Sequence, residues 1–439
     1  MLPLSEQRFY IGEAMAGTRS RLAETCVGVW SAALSRLQAG ALVSGALVSD
    51  PLLPGPVRVL AIGKAAAPMI EAALRALGDR ARDPLCVVPE GSAPPAGVRA
   101  IVAGHPRPTA GSLAAGRAVL DWGRAGGGTP ALVLVSGGGS ALAFAPADGV
   151  GPGDKSDAVH ALMRAGATIQ QLNGLRKHLS ALKGGRLGAL LAPAPVRVLV
   201  LSDVPGDDLS TIASGPLAPD PTTYADALAA ADALGAALPA AVRAHLEAGA
   251  RGEREETPKP GDPRLASIRH ALLAGPVHLA RAAAAVAAEL GFAASAEPAP
   301  LAGDVAVVAA RLGAWARAHA GRGPRVLALG GEPTIRIPSG AAAPDGGREQ
   351  HLALLAAREI AGLPAAVVAA GSDGRDGPTE QAGAAVDGGT LAAARAAGVD
   401  VDAALAEARS GPACVALGVA IPRKETGTHL CDLVMVAVE

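Results

Sequence analysis

Aromatic side chains are nearly missing from this chain, with three Trp, two Tyr and three Phe among 439 residues. Since half of the residues are nevertheless hydrophobic, the core has to be assembled from Ala, Val and Leu. That mixture suits buried strands covered by small-faced helices in tightly packed α/β layers. Net charge is also scarce: 39 Lys and Arg face 40 Asp and Glu, a formal balance of −1. Such a surface creates no field that would recruit nucleic acid or a membrane, so any basic residue of functional importance must act locally. Cysteine is limited to Cys26, Cys86, Cys414 and Cys431. Their spacing contains no CxxC, which excludes zinc-ribbon and thioredoxin-type sites and predicts reduced thiols in a cytoplasmic protein. The N-terminal stretch carries Glu6, Arg8, Glu13, Arg19 and Arg21 and offers no signal-peptide apolar region. The uncharged run Ala125–Ala147 is long enough to span a bilayer. Its centre, however, is Ser-Gly-Gly-Gly-Ser and its apolar flanks have only strand length, so it reads as a buried strand with its turn.

What the chain does contain is a repeated run of apolar strand, glycine-rich turn and Ala-rich helix. The first is Val57–Ile62 leading into Gly63, Lys64 and a helix to about Leu77. The second is Ala131–Val135 leading into Ser136, Gly137, Gly138, Gly139 and Ser140. In the third, the strand at 196–201 runs into Ser202, Asp203, Val204, Pro205, Gly206, Asp207 and Asp208. Short strands near 85–89 and 98–103 lie between, the latter entering Gly104-His105-Pro106, and Ser112 starts a helix. A helical pattern with Leu22, Val29, Ala33 and Leu37 on related faces covers about 9–37. A basic helix is expected over 158–191. The segment Arg251–Pro263, dense in charge and proline, is the best linker. Beyond it strands near 271–273, at 325–329, at 365–370 and at the C-terminus alternate with helices at 277–290, about 304–319 and up to 360. Two α/β domains follow, 1–262 and 263–439, the first a doubly wound Rossmann-like fold and the second smaller.

In a parallel sheet these turns share the carboxyl edge, where open α/β folds bind ligands. Free amides at helix starts favour anions, phosphate above all. Lys64 at such a turn calls for a nearby anion, although GxxxxGK[ST] is absent and a plain surface lysine is the alternative. Ser136, Gly137, Gly138, Gly139 and Ser140 form a plausible cradle for phosphate or carboxylate, and the same glycines equally suit close helix–sheet packing. With Gly137 and Gly139 as the first two glycines of a dinucleotide fingerprint, Leu142 occupies the third place, which weakens nicotinamide chemistry. Asp203, Asp207 and Asp208 could hold Mg²⁺ or take a hydroxyl proton, while turn-forming and capping account for one or two of them. Asp203, first off the strand, is favoured. Arg176, Lys177, Lys183 and Arg186 cluster on the expected basic helix, with Arg176 and Lys183 two turns apart on one face. They are either a solvated surface or a local anion site. In the second half Gly346-Gly347-Arg348, Glu332 and the pair Asp373 and Asp376 stand on loops of the same strand-edge type, which implies a cleft between the domains.

Taken in order, these segments resemble the class II glycerate 2-kinases, the family with a C-terminal MOFRL domain. Gly63-Lys64-Ala65-Ala66, Gly104-His105-Pro106, Val135–Ala141, Arg176–Ser180 with Lys183-Gly184-Gly185, Ser202–Asp207, and Ser214-Gly215-Pro216 with Asp220-Pro221 are similar to its N-terminal blocks. Gly331–Thr334, Gly346-Gly347-Arg348 and Asp373–Thr379 are similar to its C-terminal ones. The resemblance implies ATP- and Mg²⁺-dependent phosphorylation of D-glycerate at its 2-hydroxyl, with small-molecule substrates alone as partners. It puts Lys64 and Arg348 on the moving phosphoryl group and Asp203 on Mg²⁺ (with Asp207) or on the hydroxyl proton. It gives His105 and the Ser136–Ser140 turn an anionic end of a substrate, with Gly63, Arg176, Lys183, Glu332, Asp373 and Asp376 as further binding candidates. Four positions depart from the family pattern. Glu349 and His351 stand in Gly-Gly-Arg-Asn-Gln-Glu at its Asn and Glu; His429 ends what is usually Thr-Gly-Thr-Asn; and Ser372 replaces a Thr. Members have also been labelled hydroxypyruvate reductases. That activity, and non-catalytic sensing of a phosphorylated acid, are the rival expectations.

Overall fold

A computed structural model describes residues 19–49, 55–337 and 345–439. Expected helix before residue 19 lies outside the described residues. The first sheet contains β1 (Val57–Ile62), β2 (Ala81–Pro89), β3 (Arg99–Ala103), β4 (Ala131–Val135), β5 (Val196–Leu201) and β6 (Ile268–Ala274). All are parallel, in the order β3-β2-β1-β4-β5-β6. This is a doubly wound arrangement in which the direction of winding reverses between β1 and β4. β1 and β4 are buried along their full length, as expected of central parallel strands sandwiched by helices. The core around them is Leu60, Ile62, Val133, Val135 and Val198 with Trp122 and Leu142, short aliphatic side chains almost throughout.

The second sheet holds β7 (Ala293–Ala296), β8 (Arg325–Gly331), β9 (Ala365–Gly371), β10 (Gln381–Asp387), β11 (Ala420–Pro422) and β12 (Asp432–Val438). Its order is β11-β10-β9-β12-β8-β7; β7 and β8 are parallel and every other pair is antiparallel. β7, β10 and β11 escape sequence reading. β10 is buried yet made largely of Ala and Gly, which carry little strand preference of their own.

Each sheet is the centre of one compact unit. The parallel-sheet unit comprises Ser35–Leu279 with Thr426–Cys431; the mixed-sheet unit comprises the described residues up to Leu34, Ala280–Glu425 and Asp432–Glu439. A division at 262/263 therefore differs from the observed one at three places: the described residues up to Leu34, residues 263–279, and Thr426–Cys431. β6 pairs with β5 inside the first sheet, beyond the segment read as a linker. That segment is itself tied down: Glu256 accepts from His178 Nε2 at 2.8 Å and from the Tyr224 amide at 3.0 Å, and Thr257 Oγ1 donates to Asp220 at 3.1 Å. At the other end of the chain, Ser20 N donates to Asp387 Oδ2 at 2.7 Å and Arg19 Nε to the Gly418 carbonyl at 3.2 Å, so the start of the helix Arg21–Arg36 belongs with the mixed sheet. No single described helix is long and apolar enough to cross a membrane. The four cysteines are unpaired and buried; burial raises the Cys26 thiol to about 12 and, with Glu71, the Cys86 thiol to about 12.

Candidate active site

The loops after β1 and β4 flank the point where the winding reverses, and they are zipped together. Ser136 N donates to the Ile62 carbonyl at 3.0 Å, Lys64 N to the Gly137 carbonyl at 2.9 Å, and Ala65 N to Ser136 Oγ at 3.0 Å. Gly63 has φ +135°, and a Cβ there would stand 2.1 Å from Ser136 Oγ, so both conformation and space demand glycine. The Ser136 hydroxyl thus serves the helix Ala66–Leu77 and the Lys64 amide serves the neighbouring turn. The Lys64 amide is thereby committed to the turn, and the Ser136 oxygen already accepts one bond.

Around the glycine turn the functional side chains converge. A Cβ on Gly137 would lie 2.0 Å from Asp203 Oδ2 and 2.5 Å from His429 Cδ2; one on Gly138 would lie 3.0 Å from the His105 ring and 3.3 Å from the Lys64 stem. Asp203 Oδ2 and His429 Nε2 are 3.3 Å apart, and Lys64 Nζ is 3.3 Å from the same His429 nitrogen. Cys431 Sγ donates to the Asp203 carbonyl at 2.9 Å. Burial pushes the Asp203 carboxyl up, but the hydrogen bond and charge of His429, followed by the charge of Lys64, outweigh it and hold the group below its ordinary range. The outcome is a stable carboxylate beside a primary amine and an imidazole on the carboxyl edge of a parallel sheet. His429 was visible in the sequence only as a departure from a family pattern, because 225 intervening positions separate it from Asp203 and only folding of Thr426–Cys431 into this unit unites them.

Of the other acidic-turn residues, Asp208 accepts from Ser210 N and Oγ, each at 2.9 Å, and from Thr211 Oγ1 at 2.8 Å, a turn-forming role. Asp207 turns to Gly275, where its Oδ1 is buried. The basic helix expected over 158–191 is instead three helices, Pro152–Arg164, Ile169–His178 and Arg186–Leu191, broken at Gly184 and Gly185 with φ +59° and +80°. Its four cations consequently divide. Lys177 pairs with buried Asp220 at 3.2 Å, and Arg186 donates to Tyr224 Oη at 3.1 Å and to the Glu255 carbonyl at 3.0 Å, which makes both structural. Lys183 donates to the Ser140 carbonyl, while Ser140 and Ser214 share a hydroxyl–hydroxyl bond of 2.6 Å.

In the mixed-sheet unit Arg348 begins the helix Arg348–Glu359. Its Nη1 binds Glu332 Oε1 at 2.6 Å and its Nε binds Glu349 Oε1 and Asp432 Oδ2, both at 2.8 Å; Nη2 takes no part in these bonds. Asp376 caps the same helix, accepting from the Glu349 and Gln350 amides at 3.2 and 2.8 Å, so both of its oxygens are occupied. Asp373 accepts from Arg375 N at 3.1 Å. Burial first, then the Asp376 charge, raises the Glu349 carboxyl well above its usual range; burial and Glu349 do the same to Asp432. Burial opposes the Arg348 charge, yet Asp432, Glu349 and Glu332 together hold it firmly protonated.

Fold and residues together describe an α/β protein that gathers Lys64, His105, Asp203 and His429 around one glycine turn, where the winding of a parallel sheet reverses. Residues 25–247 match the domain of unknown function DUF4147 and residues 325–432 match the MOFRL family. The chain is 36% identical to the glycerate 2-kinase of Pyrococcus horikoshii, over 88% of either chain. It is equally 36% identical to an Agrobacterium vitis protein provisionally named hydroxypyruvate reductase, over 85% of either chain. The crystal structure of glycerate kinase from Thermotoga maritima superposes with a TM-score of 0.85 at 31% identity, covering 95% of this chain and 99% of that one. This chain belongs to the class II glycerate kinase family.

Proposed function

We propose that this protein is an ATP-dependent kinase that phosphorylates D-glycerate at the 2-hydroxyl, working in the cytoplasm. The observation that carries the reading is the meeting of Lys64, Asp203 and His429 around Gly137, at the reversal point of the sheet, in a chain similar along most of its length to glycerate 2-kinases. Phosphoryl transfer through a loose transition state demands positioning and charge neutralisation more than covalent help. Lys64 and Arg348 supply positive charge to the phosphoryl group in transit. Asp203, held ionised, receives the proton of the attacking hydroxyl, and His429 orients that carboxylate through its 3.3 Å contact. His105 and the glycine turn hold an anionic end of a substrate, and Glu332 orients Arg348.

Mg²⁺ fits this donor set in one form. Among the described residues no group of three or more His, Cys, Asp and Glu converges as a cage, and Mg²⁺ is ordinarily held by one or two carboxylates together with substrate phosphates. If Asp203 is not the base, it is the carboxylate that would hold a nucleotide-borne Mg²⁺, which would supply charge neutralisation to the triphosphate. The test is ATP consumption over a panel of small hydroxy acids, with the phosphate position in the product read by phosphorus NMR. Strict ATP dependence with a 2-phosphate product supports the reading. Substrate-dependent NADH oxidation would replace it with the reductase, and ligand binding without turnover would replace it with a sensor.

A further inference from the structure

The helix Pro152–Arg164 buries Lys155 on the same face as Ala158, Ala161 and Leu162. Lys155 is 1% exposed, its Nζ has no hydrogen-bond partner among the described residues, and the Phe144 ring centroid lies 4.9 Å away. An ammonium in that position is strongly disfavoured unless something anionic meets it. The chain itself supplies further positive charge instead. Lys183 is 3% exposed and is bonded to the Ser140 carbonyl, and among the described residues Arg176 reaches only Asn173 Oδ1 at 3.5 Å. No ion pair among the described residues includes Lys155, Arg176 or Lys183, whereas Lys177, adjacent to Arg176 in sequence, is matched by Asp220. The fold thus provides a counter-ion where a buried lysine is structural and withholds it from these three.

We propose that Lys155, Arg176 and Lys183 form the binding pocket for an oxyanion, the carboxylate of the acceptor hydroxy acid, with Lys155 as its innermost ligand. The assignment rests on the kinase reading above and names a binding group of that site. Its link to the reacting centre is Ser140, whose carbonyl takes Lys183 and whose residue closes the turn that lies under Lys64, His105 and Asp203. In a 2-hydroxy acid the carboxylate is attached to the carbon that bears the reacting hydroxyl, so anchor and reaction site have to be neighbours. The charged groups that act on Lys155 from the packed elements are Lys183 and Arg176, with the Phe144 ring beside it. Burial, then these two cations, push its amine well below the usual lysine range; burial and Arg176 bring Lys183 down to about 7. An empty pocket therefore sheds protons near neutral pH, and an entering anion takes them up.

Lys155→Met keeps the stem and removes the charge. The experiment measures KM for D-glycerate and for ATP separately, and titrates the protein calorimetrically with D-glycerate, and with inorganic phosphate, in two buffers of different ionisation enthalpy. The expected result is a KM for glycerate raised about 30-fold or more, a KM for ATP unchanged within about twofold, and a buffer-dependent heat of glycerate binding in the wild type that is smaller in the variant, which keeps only Lys183 to take up a proton. A change confined to ATP, or phosphate heat alone showing buffer dependence, assigns the pocket to a nucleotide phosphate and overturns the carboxylate. Unchanged values for both substrates overturn the pocket. If Lys155→Met does not fold, the wild-type titrations decide: no net proton uptake with glycerate refutes the proposal. Wild-type turnover of glycerate is scored independently, so failure of the kinase reading is distinguishable from failure of the pocket.

Discussion

Asp203→Asn removes one charge from the site while preserving its shape, and the Cys431–carbonyl contact at 2.9 Å keeps the backbone in place. In the native protein the carboxylate faces His429 at 3.3 Å. Proton transfer by a positioned side chain is worth about 10²–10⁴ in rate, or about 3–5 kcal/mol of barrier. The variant is therefore expected to lose about 10²–10⁴ in kcat, with KM for ATP changed only a few-fold. A coupled assay of ADP release over a range of pH measures this. The depressed carboxyl supplies a base above its folded-state value and loses it as pH falls through that value, so the native acid limb lies below the ordinary carboxylate range and should vanish in Asp203→Asn. By the same sign, the stability it contributes is present above its unfolded value and declines on acidification. Turnover within tenfold of the native enzyme, with an unchanged acid limb, would refute Asp203 as base. Recovery of turnover on raising Mg²⁺ would convert it into a metal ligand.

Further predictions concern the residues around it. Lys64→Ala and Arg348→Ala should each lower kcat by orders of magnitude, and the double variant should fall by clearly less than the product of the two if both cations act on one phosphoryl group. Additive losses would separate their roles. Arg348→Ala should also destabilise the protein in urea by up to about 3–5 kcal/mol, because Glu349 and Asp432 lose their counter-ion, and adding Glu349→Gln should recover part of it; a loss below about 0.5 kcal/mol, the scale of an ordinary surface change, would show that the pairs are unimportant. Glu349 has a raised folded-state value, so its contribution to stability is present at low pH and is lost as pH rises through that value. Glu349→Gln should therefore lose less stability than the native chain as pH is raised from the ordinary carboxylate range, and urea midpoints that fall equally in both proteins would contradict the sign. His429→Asn removes the contact that depresses Asp203 and should move the acid limb of kcat/KM upward; an unmoved limb would break the coupling.

Much of the first sheet was legible because the signals are local. An apolar run such as Val57–Ile62 or Ala131–Val135 followed by glycine states both the strand and the turn that must end it, and a parallel sheet then collects Lys64, His105, Ser136–Ser140 and Asp203 on one edge. β10 was illegible for the opposite reason: its Ala- and Gly-rich residues become a strand only because β9 and β11 flank them. Lys155 carries a local signal as well, a lysine in register with the apolar face of its own helix.

Sequence alone determined the chemistry on offer: which side chains end which strands, and that glycine-rich turns follow them. The tertiary structure decided which of them work together. It gave Asp220 to Lys177 and none to Lys155, set three carboxylates around Arg348, and carried His429 to Asp203. Those outcomes depend on burial and on pairing between distant segments, because a charge has a defined partner and a defined energy only once the chain around it has closed.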